Sequence, residues 1–315
     1  MKNTIKSNQL KTAITSGLDK GWSGFIWMLK IIIPVSFLTA LLAWSSWIEL
    51  LELIFQPIMN FFSLPAIAAL PLIIGMLTGI YGGIASMAVL PLTVEQMTLI
   101  AIFLLIAHNL IQEGIIQGKS GINFLKATLF RLVIAAVTVF IAAQFLDITS
   151  ASQMTVDGLQ SHVSQPFLKM LQDWGIITVH LIIRIFFIIM FILTLLEVLK
   201  SLGWITHIVR FLFPLLKIMG LNQRVGVLWV TAVIFGLAYG GAVIVEEAKN
   251  GQLSREELEE LHLSIGINHS MIEDPCLFLP LGISAFWLWI PRLIMAIIAV
   301  RLLVFWQIFR KKHLS

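Results

Sequence analysis

Four stretches of this chain, 31–48, 53–94, 96–112 and 225–245, contain no Asp, Glu, Lys or Arg. A helix that crosses a bilayer needs roughly 20 apolar residues, and in lipid every backbone polar group must be satisfied within the segment. The stretches therefore predict an all-α polytopic membrane protein; the residue-by-residue alternation of a membrane β-barrel is absent. Composition agrees: of 315 residues 12% are charged, about half the usual soluble share, and mean hydropathy is +0.95. The net charge of +4 calls for no nucleic acid partner, because basic residues of membrane proteins gather in cytoplasmic loops. A single cysteine, Cys276, excludes an internal disulfide and any multi-cysteine zinc site. The first apolar run is longer than a signal-peptide core and has no convincing cleavage site, so an uncleaved first span is expected.

The chain contains an internal repeat. "HNLIQE" beginning at His108 matches "HSMIED" beginning at His269, 161 residues later. In the same register Gly121-Ile122 falls on Gly282-Ile283 and Arg131 on Arg292. Upstream, "IYGG" with Tyr81 matches "AYGG" with Tyr239, and these are the only two tyrosines. The expected organisation is a polar N-terminal segment 1–24, a first repeat 25–147, a linker 148–173, a second repeat 174–309 and a basic tail 310–315.

Charge fixes the expected topology. The N-terminus carries Lys2, Lys6, Lys11 and Lys20 and the C-terminus Arg310, Lys311 and Lys312, which places both ends in the cytoplasm of a cell whose inner membrane holds the chain. The linker has Asp147, Asp157 and Asp173 against Lys169 and is expected outside. Each repeat must then cross an odd number of times although it shows four apolar segments. One segment is therefore expected to enter and leave on the same side: 66–92, with Gly79, Gly82 and Gly83 at its middle, and in the second repeat 225–245, turning near Tyr239-Gly240-Gly241. That gives two inverted repeats, each three spanning helices plus one re-entrant hairpin, an architecture of transporters. The competing arrangement is eight plain spans with parallel repeats. Ser254 and Glu257 read as a capping box opening an acidic surface helix.

The polar groups of the repeat are the candidate site. His108–Gln112, Asn109–Glu113, His269–Glu273 and Ser270–Asp274 are spaced to share a helical face, and Pro275 is expected to break the second helix after Asp274. Asn268 stands beside them. Arg131 and Arg292 on the following spans are the expected charge partners, Arg292 near the level of His269 and Glu273. Tyr81 and Tyr239 could contact solute, though packing beside a glycine turn serves them as well. Ionisable groups inside a membrane are functional by default, and the alternative is that they only tie helices together. "GIIQGKS" at 114–120 lacks the spacing and preceding strand of a phosphate loop.

On "YGG" followed by "HNLIQEG…SGI…R", and again by "INHSMIEDPCLF…GIS…R", the chain resembles the nucleoside recognition, or Gate-domain, family of membrane proteins. That family is related to concentrative nucleoside transporters, the membrane domain of ferrous iron permeases and spore maturation proteins. The resemblance covers nearly the whole chain and implies inverted repeats with re-entrant hairpins. Three functions follow: a carrier for a small polar solute such as a nucleoside, with a coupling cation and a homodimer among its candidate partners; a divalent metal permease using His108, His269, Glu113, Glu273, Asp274 and Cys276; or a non-transporting assembly protein. An enzyme is not expected, since no nucleophile–base pair is visible, and neither a cofactor nor a resident metal is assigned.

Overall fold

A computed structural model describes residues 2–45, 47–147, 165–221, 223–251 and 253–314. Those residues form helices and turns with no strand among them. Among the described residues five helices are long and apolar enough to cross a membrane, and six if the pair Ile54–Phe61 and Ala66–Thr78, bent by 89°, counts as one span. The chain is a multi-pass membrane protein. Residues 148–164 of the expected linker lie outside the described residues.

The first half runs through α1 (Lys2–Trp44), α2 (Ile48–Phe61), α3 (Ala69–Thr78), α4 (Ile80–Val89), α5 (Val94–Ala107), α6 (Leu110–Lys119) and α7 (Phe124–Ala143). The second runs through α8 (Phe167–Ser201), α9 (Ile205–Met219), α10 (Gln223–Lys249), α11 (Arg255–Asn268), α12 (Glu273–Phe278) and α13 (Ala285–Leu314). The order repeats once α10 is read as two helices, because Gly236 breaks it with φ 76° and ψ 171°. Residues 2–24, expected as a separate polar segment, continue α1, and 167–173 open α8.

α1 and α8 pack along each other in opposite directions: Gly17 backs onto Thr194, while Ser36 near the other end accepts a hydrogen bond from the Trp174 indole at 3.1 Å. Small residues permit the approach, since a Cβ on Gly17 would lie 2.6 Å from the Thr194 Cα. Lys20 and Glu197 pair at 2.5 Å on the exposed rim. The outer face of α8 shows Val179, Ile183, Phe187 and Phe191, one stripe at helical spacing and each about half exposed or more. That is a lipid-facing surface. α5 is apolar on every side, and Leu99, Ile100, Leu104 and Ile106 are wholly buried. A helix apolar all round is a core helix, and this one runs through the centre of the bundle.

In each half a helical hairpin turns on one glycine. α3 and α4 fold back on each other about Gly79, φ 91°, so that Gly83 sits against Pro71 and Gly75. In α10 the turn at Gly236 brings Gly240 onto Ala232. The turn in the second half thus lies three residues before the expected Tyr239-Gly240-Gly241. The glycines of the YGG triplets are helical and serve close packing, while Gly79 and Gly236 supply the positive φ that other residues avoid.

Candidate functional site

Two helices deliver the histidines. α5 starts with a capping box in which Thr93 and Gln96 exchange bonds, and α11 starts with the same device in Ser254 and Glu257. α11 is no surface helix. Its first turn is exposed, but Leu261, Ile265, Gly266, Ile267 and Asn268 are buried, and it is the counterpart of the central α5. Both helices end one residue before their histidine. His108 and His269 are extended, and the next residues, Asn109 and Ser270, take the left-handed conformation with φ 48° and 52°. The break therefore comes before the polar motif. Pro275 lies inside the first turn of α12, where its missing N–H costs little. Gly114, likewise, is inside α6. The i,i+4 pairs do not share a helical face, although Ser270 Oγ does donate to Asp274 Oδ1 at 2.9 Å across the break.

Each break is held from two directions. The Asn109 amide donates to the Gly75 carbonyl at 3.1 Å, and the Ser270 amide to the Ala232 carbonyl at 3.2 Å, so the hairpin of each half meets its broken helix. Behind them the arginines clamp the freed carbonyls. Arg131 Nε and Nη2 donate to Ile106 O and His108 O at 2.8 and 2.9 Å. Arg292 repeats this on Ile267 O and His269 O at 3.0 and 2.9 Å. Unwound backbone at membrane depth is tolerable only when protein satisfies it, and a guanidinium fork is suited to two carbonyls.

Between the two breaks the halves meet. Glu113 Oε2 takes Arg131 Nη1 at 2.7 Å, while its Oε1 lies 3.0 Å from His108 Nε2 and 3.2 Å from His269 Nε2. The two Nε2 atoms are 3.4 Å apart. Asp274 Oδ2 approaches His108 Nε2 at 3.7 Å. All five residues are buried. The other ring nitrogen of each histidine is committed: His108 Nδ1 meets Leu104 O at 2.8 Å and His269 Nδ1 meets Ile265 O at 2.9 Å.

The chain is similar to the uncharacterized membrane protein YvoD of Bacillus subtilis, with 27% identity over 290 residues covering 92% of this chain and 93% of that one. No family model and no solved structure matches. The likeness adds a second membrane protein of about the same extent and brings no activity with it.

Other expected site residues stand apart from the centre. Arg292 does not pair with Glu273, as the sequence suggested; its Nη1 has no hydrogen-bond partner among the described residues. Glu273 is half-buried and accepts instead from the Tyr81 hydroxyl at 3.0 Å, across the halves. Tyr81 also stands edge-on to Trp27. The amides of Asn109 and Gln112 bond each other at 2.9 Å, and Gln112 is exposed. Asn268 is buried with both amide atoms unpartnered among the described residues. The side chain of Tyr239 lies outside the described residues.

The sequence reading missed His262 and Gln117. His262 Nε2 meets Ser120 Oγ at 2.8 Å and Gln117 Nε2 reaches His262 O at 3.5 Å, a second polar link between the halves. His262 and Gln117 border a cavity of about 350 Å³ whose lining also includes Lys126, Arg255, Glu259 and Arg131. A histidine on the buried side of a helix opened by glutamates was the available signal.

Proposed function

We propose that the chain is a membrane carrier for a small polar solute, nucleosides and related metabolites being the first class to test. Its buried charge cluster is the centre through which solute and coupling cation act. The observation that carries this reading is the cluster itself. Two carboxylates, two histidines and Arg131 are buried where the halves of an apolar bundle touch, and ionisable groups held at that cost inside a membrane protein are functional by default. The cavity that Arg131 helps to line provides an approach from one side.

The reading includes an architecture of two inverted repeats with re-entrant hairpins, as in the Gate-domain family. The opposed directions of α1 and α8, which hold equivalent places in the two halves, support it. So do the hairpins that end against broken helices, since discontinuous elements meeting at one site are how transporters of this kind bind solute. The reading puts both termini on the cytoplasmic side of an inner membrane, which the basic residues at the two ends support.

Purified protein in proteoliposomes should take up labelled uridine or adenosine when an inward proton or sodium gradient is imposed. Glu113→Gln should reduce uptake at least 100-fold while the protein still inserts and elutes as a single species. Uptake by that variant at the unmutated rate would remove the cluster from the transport path.

A further inference from the structure

We infer that His108, His269 and Glu113 form a binding site for one first-row divalent transition ion, held between the two halves of the chain. The inference rests on the cluster being the working centre of the protein, and it concerns what occupies that centre.

The argument begins with hydrogen-bond roles. A carbonyl oxygen only accepts, so Nδ1 of His108 and of His269, each on a helix carbonyl, must carry its ring's hydrogen. In a neutral ring the other nitrogen, Nε2, is then a lone pair. Both lone pairs and Oε1 of Glu113 converge, with edges of 3.0, 3.2 and 3.4 Å. Three electron-rich atoms at these separations repel unless positive charge lies among them. A single proton on one ring satisfies one edge of the triangle and leaves the other ring's lone pair facing the carboxylate. An ion just off the plane satisfies all three edges.

The dimensions agree. Metal–nitrogen and metal–oxygen bonds of about 2.0–2.2 Å put ligand atoms about 3.3 Å apart around a tetrahedral ion and about 3.0 Å around an octahedral one. The surroundings are those of a metal site as well. Nδ1–H donated to a carbonyl is the usual support for a ligating imidazole, and Arg131 grips Oε2 of Glu113, which leaves Oε1 free and aimed. A second, independent observation lies at the edge of the triangle. Asp274 Oδ2 is buried with no hydrogen-bond partner among the described residues, 3.7 Å from His108 Nε2, an unpartnered carboxylate oxygen beside the triad. Two nitrogens with one or two carboxylate oxygens suit Zn²⁺, Fe²⁺, Co²⁺ or Mn²⁺; Mg²⁺ and Ca²⁺ prefer oxygen alone.

The test uses the full chain, free of any affinity tag, purified in detergent and stripped with a chelator. Titration with Zn²⁺ against a chromophoric chelator should give one site per chain with submicromolar affinity. His108→Asn, His269→Asn and Glu113→Gln should each weaken it more than about 100-fold, beyond the 10–100-fold expected for an outer-shell change. Asp274→Asn should weaken it about tenfold, and His180→Asn, on the exposed face of α8, should leave it unchanged. Should the triad variants fail to fold, zinc-edge X-ray absorption on the unmutated protein decides, with two imidazoles and at least one oxygen at about 2.0–2.1 Å expected.

No zinc or cobalt retained, or a bound ion without imidazole ligands, overturns the site. If Glu113→Gln still abolishes nucleoside uptake in that event, the transport reading stands and a shared proton closes the triangle. A triad metal in a protein that moves no solute removes the transport reading alone.

Discussion

Arg131 and Arg292 hold their chain breaks with the same two nitrogens on the same two carbonyls, yet their third nitrogens differ. Arg131 Nη1 forms an ion pair with Glu113 Oε2 at 2.7 Å, whereas Arg292 Nη1 makes neither an ion pair nor a hydrogen bond among the described residues. The difference follows from the residues across the break. Glu113 is the longer acid and lies within α6, reaching the arginine and both histidines together. Asp274 is one methylene shorter and is held by Ser270 at the start of α12. The repeat keeps the clamp and varies the centre, so one half supplies most of the charge-bearing contacts and the other closes over them.

The largest effect should come from breaking that inequality. Arg131→Met and Arg292→Met each lose two bonds to buried carbonyls, so the difference between them isolates the carboxylate. Removing one partner of a buried pair costs about 3–5 kcal/mol, because the other charge stays behind unpaired. Arg131→Met should therefore unfold well below Arg292→Met in the same detergent, by about 3 kcal/mol in stability. Adding Glu113→Gln should recover part of the loss in the first variant and none in the second. Equal unfolding temperatures for the two arginine variants would mean that Arg292 has a carboxylate partner after all.

A smaller effect separates the hairpins. A Cβ on Gly240 would lie 2.5 Å from the Cα of Ala232, a backbone atom that cannot retreat without parting the two helices. On Gly83 the closest obstacle is the tip of the Leu104 side chain, with the Gly75 Cα at 3.6 Å. Overpacking costs about 1–3 kcal/mol, and the rigid neighbour sets the upper end. Gly240→Ala should thus be the more damaging, measured as the fall in unfolding temperature relative to Gly83→Ala. The reverse order would show that the hairpin of the first half is the tighter one.

These comparisons also mark what could be read from the residues beforehand. The apolar runs, the repeat of His108 in His269 and a glycine-centred turn in each half were legible, because burial in lipid and internal similarity act on whole segments. The positions of the breaks were not. Pro275 and the YGG glycines are strong local signals, but Pro275 fits the first turn of α12 and the glycines serve packing. The chain instead turns at Gly79 and Gly236 and breaks at His108 and His269, where the amides of the strained Asn109 and Ser270 donate to distant carbonyls and two arginines hold the carbonyls before them. Nor could spacing reveal that His108, Glu113 and His269 converge. That contact depends on how the halves face each other, which no local pattern encodes. Glu273 was assigned to Arg292 for the same reason and pairs with Tyr81 of the other half.

The smallest predicted difference lies at the entrances to the two central helices. Thr93 and Gln96 cap α5 with neutral groups, while Ser254 is matched by a carboxylate, Glu257, whose Oε2 accepts the Ser254 amide at 2.8 Å. A negative charge in a first turn also meets the positive end of the helix dipole, worth about 0.3–1 kcal/mol where exposed and screened by salt. Glu257→Gln converts the second box into the chemistry of the first. It should lower stability by that amount at low ionic strength, with the loss fading as salt rises, and Gln96→Glu should give no matching gain because Gln96 is wholly buried. Ser254→Ala and Thr93→Ala remove the cap itself and should each cost about 1 kcal/mol whatever the salt. A salt-independent loss in Glu257→Gln would show that the carboxylate acts through its hydrogen bond alone, and the two helices would then be capped in the same way despite their different charge.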